Sequence, residues 1–316
     1  MAPTVTPVRI GVDVGGTKIE AIAMDGDSQT LARRRVPTPA GDYGAIVETI
    51  AQLVLTLERD LAVKGTVGIG TPGSLSRVNG SIKNANSVVL IGKPFDADLA
   101  ARLERPIRMT NDANCFALSE AYDGAAAGAN VVFGVILGTG VGGGIVIRKE
   151  IVEGANAIAG EWGHNPIPWP RDDERPGPRC YCGKYGCIET FLSGPALERT
   201  YRERTGRHEA AATIARNAQA GDADANACLS NYEDRLARSL ATLINILDPD
   251  VIVLGGGVSN VDRLYERIPE LLKRYVFSDR VDTRFVRALY GDSSGVRGAA
   301  RLWPPAWQAG GDRLHG

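Results

Sequence analysis

VRIGVDVGGTKIEAIAM, residues 8 to 24, reads as two strands joined by a glycine turn. Apolar side chains alternate or run together for about five or six positions on each side of Gly15-Gly16, the period of a strand and not of a helix. Much further along, FGVILGTGVGGGIVI, residues 133 to 147, repeats the plan of strand, glycine turn and strand. The echo is the one internal repeat in the chain, and it predicts two related α/β lobes facing a cleft.

The segments around the two hairpins agree with that plan. Ile46, Val47, Ile50, Leu53, Val54, Leu57 and Leu61 mark one face of a helix over about 43 to 63. TVGIGTPG is a buried strand running into a loop; a helix at 95 to 104, a short strand IRMT and a helix over about 113 to 127 follow. Residues 165 to 180, rich in proline and charge, form a loop, and His208 falls in an arginine- and alanine-rich helical region. A long helix over about 222 to 247 leads to the strand and glycine loop of DVIVLGGGVSN, and helices near 261 to 275 and 294 to 302 close the fold. The last packs back on the first lobe, and PPAWQAGGDRLHG reads as a frayed tail. The predicted division is 1–115 with about 295–316 in a smaller lobe and 116–294 in a larger one.

Composition removes several classes of function. The 316 residues are 44% hydrophobic, enough for a sizeable core, and carry a formal net charge of −1. No basic run exceeds Arg33-Arg34-Arg35, so neither nucleic acid nor an anionic membrane is indicated. VVFGVILGTGVGGGIVI, residues 131 to 147, is uncharged, but it is shorter than the ~20 residues a spanning helix needs, and six of its seventeen residues are glycine. No leader-like segment opens the chain, and an odd number of cysteines fits a reducing cytoplasm better than a disulfide framework.

Three glycine clusters end strands: Gly15-Gly16, Gly138 to Gly144 and Gly255-Gly256-Gly257. Such turns let backbone N–H groups approach phosphate oxygens, although each alone is also an ordinary turn. Gly138-x-Gly140-x-x-Gly143 matches a dinucleotide fingerprint, yet a strand follows where that motif requires a helix. A Walker A loop fails as well, since no G-x-x-x-x-G-K-[ST] occurs. Asp13, two residues before the first turn, is an unusual choice for structure alone; it can hold a hydrated Mg²⁺ beside a phosphate to which Thr17 hydrogen-bonds. Asn111-Asp112 stands where a strand meets a helix, which suits an N-cap and a catalytic base alike.

Cys180-x-Cys182-x₄-Cys187 supplies three thiolates, and His164 in GEWGHNP lies sixteen residues upstream of the first. Cys₃His is a complete tetrahedral set for a structural Zn²⁺, whereas a catalytic zinc keeps an open position. A metal clamping residues 164 to 187 would also fix Glu161 and Glu189 near one another, as two acceptors for the hydroxyls of a polyol.

GVDVGGTK, LGTGVGGG, LGGG, E-x-G-H and C-x-C-G-x-x-G-C-x-E together resemble the ROK family of sugar kinases, over about residues 8 to 303. The resemblance implies the two-lobed actin/hexokinase-like ATPase fold, duplicated ribonuclease H-like domains with a zinc-binding loop in the larger lobe. It implies ATP with Mg²⁺ as donor, met by Asp13, Gly15, Gly16, Thr17 and Lys18, by Gly138, Thr139, Gly140, Val141, Gly142 and Gly143, and by Gly255, Gly256 and Gly257. It implies Asp112 as the base, with Gly73, Asn86, Asn111, Glu161, His164 and Glu189 around a hexose, and a homodimer in the cytoplasm. EWGHNPIPW, KNANS and GDSSGVRGAARLWP are most similar to the fructokinase branch, so D-fructose is the expected acceptor, with D-mannose or D-glucose slower. Glucokinase, N-acetylhexosamine kinase and a non-catalytic sugar sensor are the alternatives. A repressor of this family carries an added DNA-binding domain, for which a first strand at residue 8 leaves no room.

Overall fold

The computed structural model describes residues 8–85 and 87–304. It divides into two compact units, the first taking residues 8–119, 153–158 and 293–304 and the second 120–152 and 159–292.

The first unit opens with the hairpin β1 (Arg9–Val14) and β2 (Lys18–Met24), followed by β3 (Thr30–Pro37), α1 (Tyr43–Leu61) and β4 (Thr66–Thr71). A two-residue ladder of β5 (Ser74–Leu75) and β6 (Ile82–Lys83), then α2 (Phe95–Leu103), β7 (Arg108–Asn111) and α3 (Asp112–Tyr122), complete this stretch. The main sheet runs β3-β2-β1-β4-β7, antiparallel across the first three strands and parallel from β1 to β7. α1 starts where the Asp42 carboxylate accepts the Ala45 N–H at 2.9 Å, and it buries Ile46, Ile50, Leu53, Val54 and Leu57 against the sheet.

β3 is an edge strand absent from the sequence-based expectation, in which Arg33-Arg34-Arg35 was only a charged run. Its arginines have a task. Glu20 of β2, 1% exposed, is met by Arg33 at 2.6 Å and Arg35 at 2.5 Å, so a buried carboxylate holds the edge in register. α3 also stops at Tyr122 rather than 127. The buried Glu120 carboxylate takes the Ala125 N–H at 2.8 Å and the Leu289 N–H at 3.0 Å, turning the chain out of the helix.

The second unit repeats the pattern: β8 (Val131–Leu137), β9 (Val141–Ile147) and β10 (Glu150–Ile151) lead to α4 (Glu189–Leu192), α5 (Gly194–Thr205), α6 (Ala211–Gln219) and α7 (Ala223–Leu247). β11 (Val251–Gly255), α8 (Arg263–Leu272) and β12 (Arg284–Arg287) complete its sheet, ordered β10-β9-β8-β11-β12 with the same alternation of polarity as the first. Expectation covered neither α5, α6 nor β12, and His208 lies in the link between α5 and α6 rather than in a helix. α9 (Ser294–Ala300) returns to the first unit. It seats where Gly68 of β4 has no side chain: a Cβ there would fall 1.9 Å from the Ala299 carbonyl oxygen. Residues 153–158 also belong to the first unit, tied by Arg77 to Glu153 at 3.4 Å and by Lys83 to the Asn156 carbonyl at 3.0 Å, a short excursion outside the predicted boundaries near 115 and 295.

The hydrophobic run at 131 to 147 is the β8–β9 hairpin, and no helix among the described residues is long and apolar enough to cross a membrane.

Candidate active site

Three parallel strands of the first unit end side by side. Register pairs Asp13 of β1 with Gly70 of β4, and Thr71 of β4 with Asn111 of β7, so Asp13, Gly73 and Asn111-Asp112 gather at one edge of the sheet. Carboxyl ends of parallel strands are where open α/β sheets bind ligands, because the following turns splay apart there. Asn111 Nδ2 donates to the Gly73 carbonyl at 3.0 Å. The Ala113 N–H at the start of α3 is shared between Asn111 Oδ1 and Asp112 Oδ1, both at 2.8 Å. Asp112 is thus a helix-start acceptor with its carboxylate held in place, and capping does not exclude chemistry.

Burial, together with the charges of Asp112 and Glu20, pushes the Asp13 carboxyl up to about 7. Two coupled acids at the strand ends form a place for a cation, which would relieve both desolvation and repulsion. The Gly15 to Thr17 turn beside them is closed by the Gly15 N–H to Lys18 carbonyl bond at 2.9 Å and anchored by the Thr38 hydroxyl on the Gly15 carbonyl at 2.7 Å. Gly16 and Thr17 remain exposed.

In the second unit, chain segments 164–167 and 186–188 are zipped together. Ile167 N–H donates to Gly186 O and Ile188 N–H to Asn165 O, each at 2.9 Å, which brings His164 beside Cys187. Gly183 and Gly186, both with positive φ, fold the intervening loop so that Cys180 and Cys182 join them. The ligand atoms of His164, Cys180, Cys182 and Cys187 all lie within 4.8 Å of one another. Cys182 Sγ is 3.6 Å from Cys187 Sγ, and His164 Nδ1 is 3.5 Å from Cys180 Sγ. A tetrahedral zinc with bonds of about 2.3 Å to sulfur separates its sulfurs by about 3.7 Å, so this donor set fits the metal. His164 Nε2 meets the Tyr181 hydroxyl at 2.9 Å, leaving Nδ1 as the ligand atom.

Arg238 of α7 staples the proline-rich loop ahead of the cysteines. It donates to the Pro168 and Trp169 carbonyls at 2.8 Å and to both oxygens of buried Glu174 at 2.8 and 2.9 Å. Burial opposes the charge on Glu174, but the bonds from Arg238 and Arg235 win and hold it at about 2.

The second and third glycine loops meet within this unit. Gly256 has φ +83°, and a Cβ on it would lie 2.4 Å from the Leu137 carbonyl oxygen, so only glycine allows β11 to end against β8. Gly257 then opens a cavity of about 390 Å³, with Val258 on one side and Ala211, Ala212 and Ala215 of α6 on the other. Of the predicted second phosphate loop, Gly138, Thr139 and Gly140 form the turn; Val141, Gly142 and Gly143 belong to β9 and are otherwise engaged. The Val141 N–H donates to Glu189 Oε2 at 2.9 Å, and the Gly142 carbonyl accepts Trp162 Nε1 at 2.9 Å. Glu189 therefore ties the cysteine loop to the turn, and Trp162 does the same for the E-x-G-H loop that carries Glu161. Sequence reasoning missed Trp162, Arg238, Glu174 and α6. A buried indole between two candidate ligands was the one available hint, because its N–H must find a partner.

Each unit brings its own candidates together: Asp13, Gly15 to Lys18, Gly73, Asn111 and Asp112 in the first, and the remaining glycines, both glutamates and the metal set in the second. Asn86 lies outside the described residues, as does the tail from 305 onward.

Two α/β units with one shared strand order, each carrying glycine turns at strand ends, define an actin/hexokinase-like ATPase fold, with a Cys₃His cluster added to one unit. A family model described as "ROK family" matches residues 9–306, and the chain belongs to the ROK family. It is 40% identical over 296 residues to the N-acetyl-D-glucosamine kinase of Pectobacterium atrosepticum, covering 92% of this chain and 97% of that one. Among solved structures it is similar to a ROK hexokinase from Thermus thermophilus, with 34% identity, a TM-score of 0.83, and 93% and 96% of the two chains covered. It is also similar to a ROK family glucokinase from Streptomyces griseus in complex with glucose and AMPPNP, at 29% identity, a TM-score of 0.77, and 93% and 98% coverage.

Proposed function

We propose that this chain is an ATP-dependent N-acetyl-D-glucosamine kinase. Sugar kinase is the coarser statement, supported by relatives with that activity along nearly their whole length. The observation that carries the finer one is the 40% identity, spanning both units, to a kinase named for N-acetyl-D-glucosamine. It replaces D-fructose, which rested on a few short stretches, as the expected acceptor.

The residues support an ordered division of work. Asp112 accepts the proton of the sugar's 6-hydroxyl as that oxygen bonds to the γ-phosphorus and the bond to the leaving ADP breaks. A base of this kind contributes ~10²–10⁴-fold, the remainder coming from positioning and charge stabilisation. Asn111, steadied on the Gly73 carbonyl, orients the sugar beside the base, Glu161 and Glu189 are the hydroxyl acceptors of the second unit, and His164, with Nδ1 on the metal set, donates from Nε2 by exchanging the Tyr181 hydroxyl for one of the sugar's. Asp13 holds the Mg²⁺ that accompanies ATP, whose charge screens the phosphates during transfer. Gly16, Thr17, Gly138, Thr139 and Gly140 offer backbone and hydroxyl groups to the phosphates, and the alanine-walled cavity under Gly257 suits a flat adenine. Zinc on His164, Cys180, Cys182 and Cys187 serves structure: it fixes the loops from which Glu161 and Glu189 project.

Initial rates with ATP and N-acetylglucosamine, N-acetylmannosamine, glucose, mannose or fructose test the reading. N-acetylglucosamine is expected to give the highest kcat/KM, by at least ~10-fold over fructose, the discrimination that one substituent in a fitted pocket supports. Fructose preferred over every N-acetylhexosamine would overturn it.

A further inference from the structure

Beyond the glycine turns, the second unit contains a cavity of about 460 Å³ between the proline-rich loop, α5 and α7. Four guanidinium groups line it: Arg175 on the loop, Arg199 and Arg204 on α5, and Arg235 on α7. Two carboxylates, Asp173 and Glu203, share the lining, while Asp172, Glu174 and Asp224 pair with three of the arginines from outside it, so N–H donors outnumber acceptors on the cavity wall itself. Gathering like charges around a hollow is unfavourable unless something answers them.

The arginines have partners, but those partners leave much of each fork unused. Arg235 places Nε on Glu174 at 2.8 Å and lies over the Phe191 ring at 5.0 Å, which fixes its plane at the cavity wall. Arg204 uses Nε on Asp224 at 2.8 Å. Arg175 reaches Asp172 only at 3.4 Å, with 60% of its side chain exposed. Arg199 donates to the Thr190 carbonyl and stands 3.6 Å from Glu203, beyond hydrogen-bond range. A guanidinium has five N–H donors, so several remain on each residue. Burial, and the neighbouring charges of Arg235 and Arg202, hold Arg199 below its ordinary value despite Glu203. An anion would reverse that strain.

We propose that this cavity binds a phosphomonoester dianion. Its oxygens take the N–H donors that the ion pairs leave unused, and their tetrahedral arrangement suits guanidinium forks that converge from three chain segments. The volume lies within the range of small-metabolite sites, larger than a bare phosphate requires. Arg175 stands five residues before Cys180, so an occupant ties the loop carrying the cysteines to α5 and α7. The group's source is either a sugar phosphate, such as the product of the proposed reaction, or free phosphate.

Isothermal titration of the full-length, zinc-loaded protein distinguishes these. The active centre is first saturated with N-acetylglucosamine and a non-hydrolysable ATP analogue, so that its phosphate groups are already satisfied. Inorganic phosphate and N-acetylglucosamine 6-phosphate are then titrated separately at about 0.15 M salt, where loose surface attraction is screened. One binding event is expected, weakened ~10-fold or more by Arg199→Gln and by Arg175→Gln, the loss that one charge-assisted hydrogen bond represents. Tighter binding of the sugar phosphate identifies it as the source; equal binding means that the phosphate group alone is read. Because Arg199 also holds the Thr190 carbonyl, the exposed Arg175→Gln is the variant that tests the site without touching packing. No binding at that salt, or binding of wild-type strength in Arg175→Gln and in a folded Arg199→Gln, would overturn the proposal. Neither residue belongs to the glycine turns, so that failure would leave the kinase reading intact.

Discussion

The two sheets share one strand order and differ in what stands at their edges. In the first, the position two before the hairpin turn is Asp13; in the second it is Ile136. The fifth strand ends in Asn111-Asp112 in one and in Arg287-Ala288 in the other. Paired acids thus stand at the strand ends of one copy of the fold, while the other carries the metal cluster, the paired glycine loops and the cavity under Gly257. Duplication supplies a scaffold with ligand-ready strand ends twice over; which end does chemistry depends on a few side chains placed there.

Removing the proposed base breaks that asymmetry most sharply. Asp112→Asn is expected to lower kcat by ~10²–10⁴ with sugar KM changed less than about threefold, read by steady-state kinetics. A near-normal kcat would remove Asp112 from that role. Next in size, Arg238→Ala removes the fork shared by Glu174 and Asp234, leaving Glu174 on Arg235 and Asp234 on Arg171 and Tyr275, and should cost ~3 kcal/mol in denaturant unfolding, the low end for a broken buried pair. An unchanged midpoint would mean that the proline-rich loop is held by something else.

The cysteine cluster belongs to the second unit alone, and its loss should reach activity through position rather than chemistry. Cys182→Ser is expected to drop zinc from one per chain toward none in elemental analysis. With Glu161 and Glu189 no longer fixed, kcat/KM for the sugar should fall by ~10²-fold. Full activity in zinc-free protein would end the bracing role. The smallest effect sharpens the contrast at Asp13. Its folded value, about 7, lies above the ordinary 3.8, so the folded chain holds a proton that the unfolded chain has released. Stability from that proton is present below pH 4 and lost as pH rises through 7. In Mg²⁺-free buffer the wild type should therefore lose roughly 1–4 kcal/mol between pH 5 and 8 relative to Asp13→Asn, measured by urea unfolding. Parallel pH profiles would show that the carboxyl is solvated.

Much of this was legible before any coordinates. The two hairpins, α1, α7 and the strands β4, β7 and β11 follow from apolar period, and the Cys₃His set follows from spacing, because one metal constrains four residues at once. The failures have physical causes too. β3 was hidden because its arginines read as solvent-facing, and only the buried Glu20 across the ladder explains them. α5 and α6 are short and rich in arginine and alanine, with only a few large apolar residues to mark a buried face. The acceptor sugar is the least legible part, because hydroxyl-binding acids and a histidine are common to many hexoses, whereas a preference is written in the shape of the whole site.

Sequence by itself determined the repeated α/β plan, the metal set and the acids at the strand ends, since periodicity and ligand spacing are local properties. Only the tertiary structure decided that Glu189 braces the Val141 amide, that Val141 to Gly143 lie in a strand, that Arg238 staples the proline-rich loop, and that four arginines from three segments enclose one cavity. Those pairings join residues far apart in the chain, and a buried charge or backbone donor is satisfied by whatever the fold brings beside it.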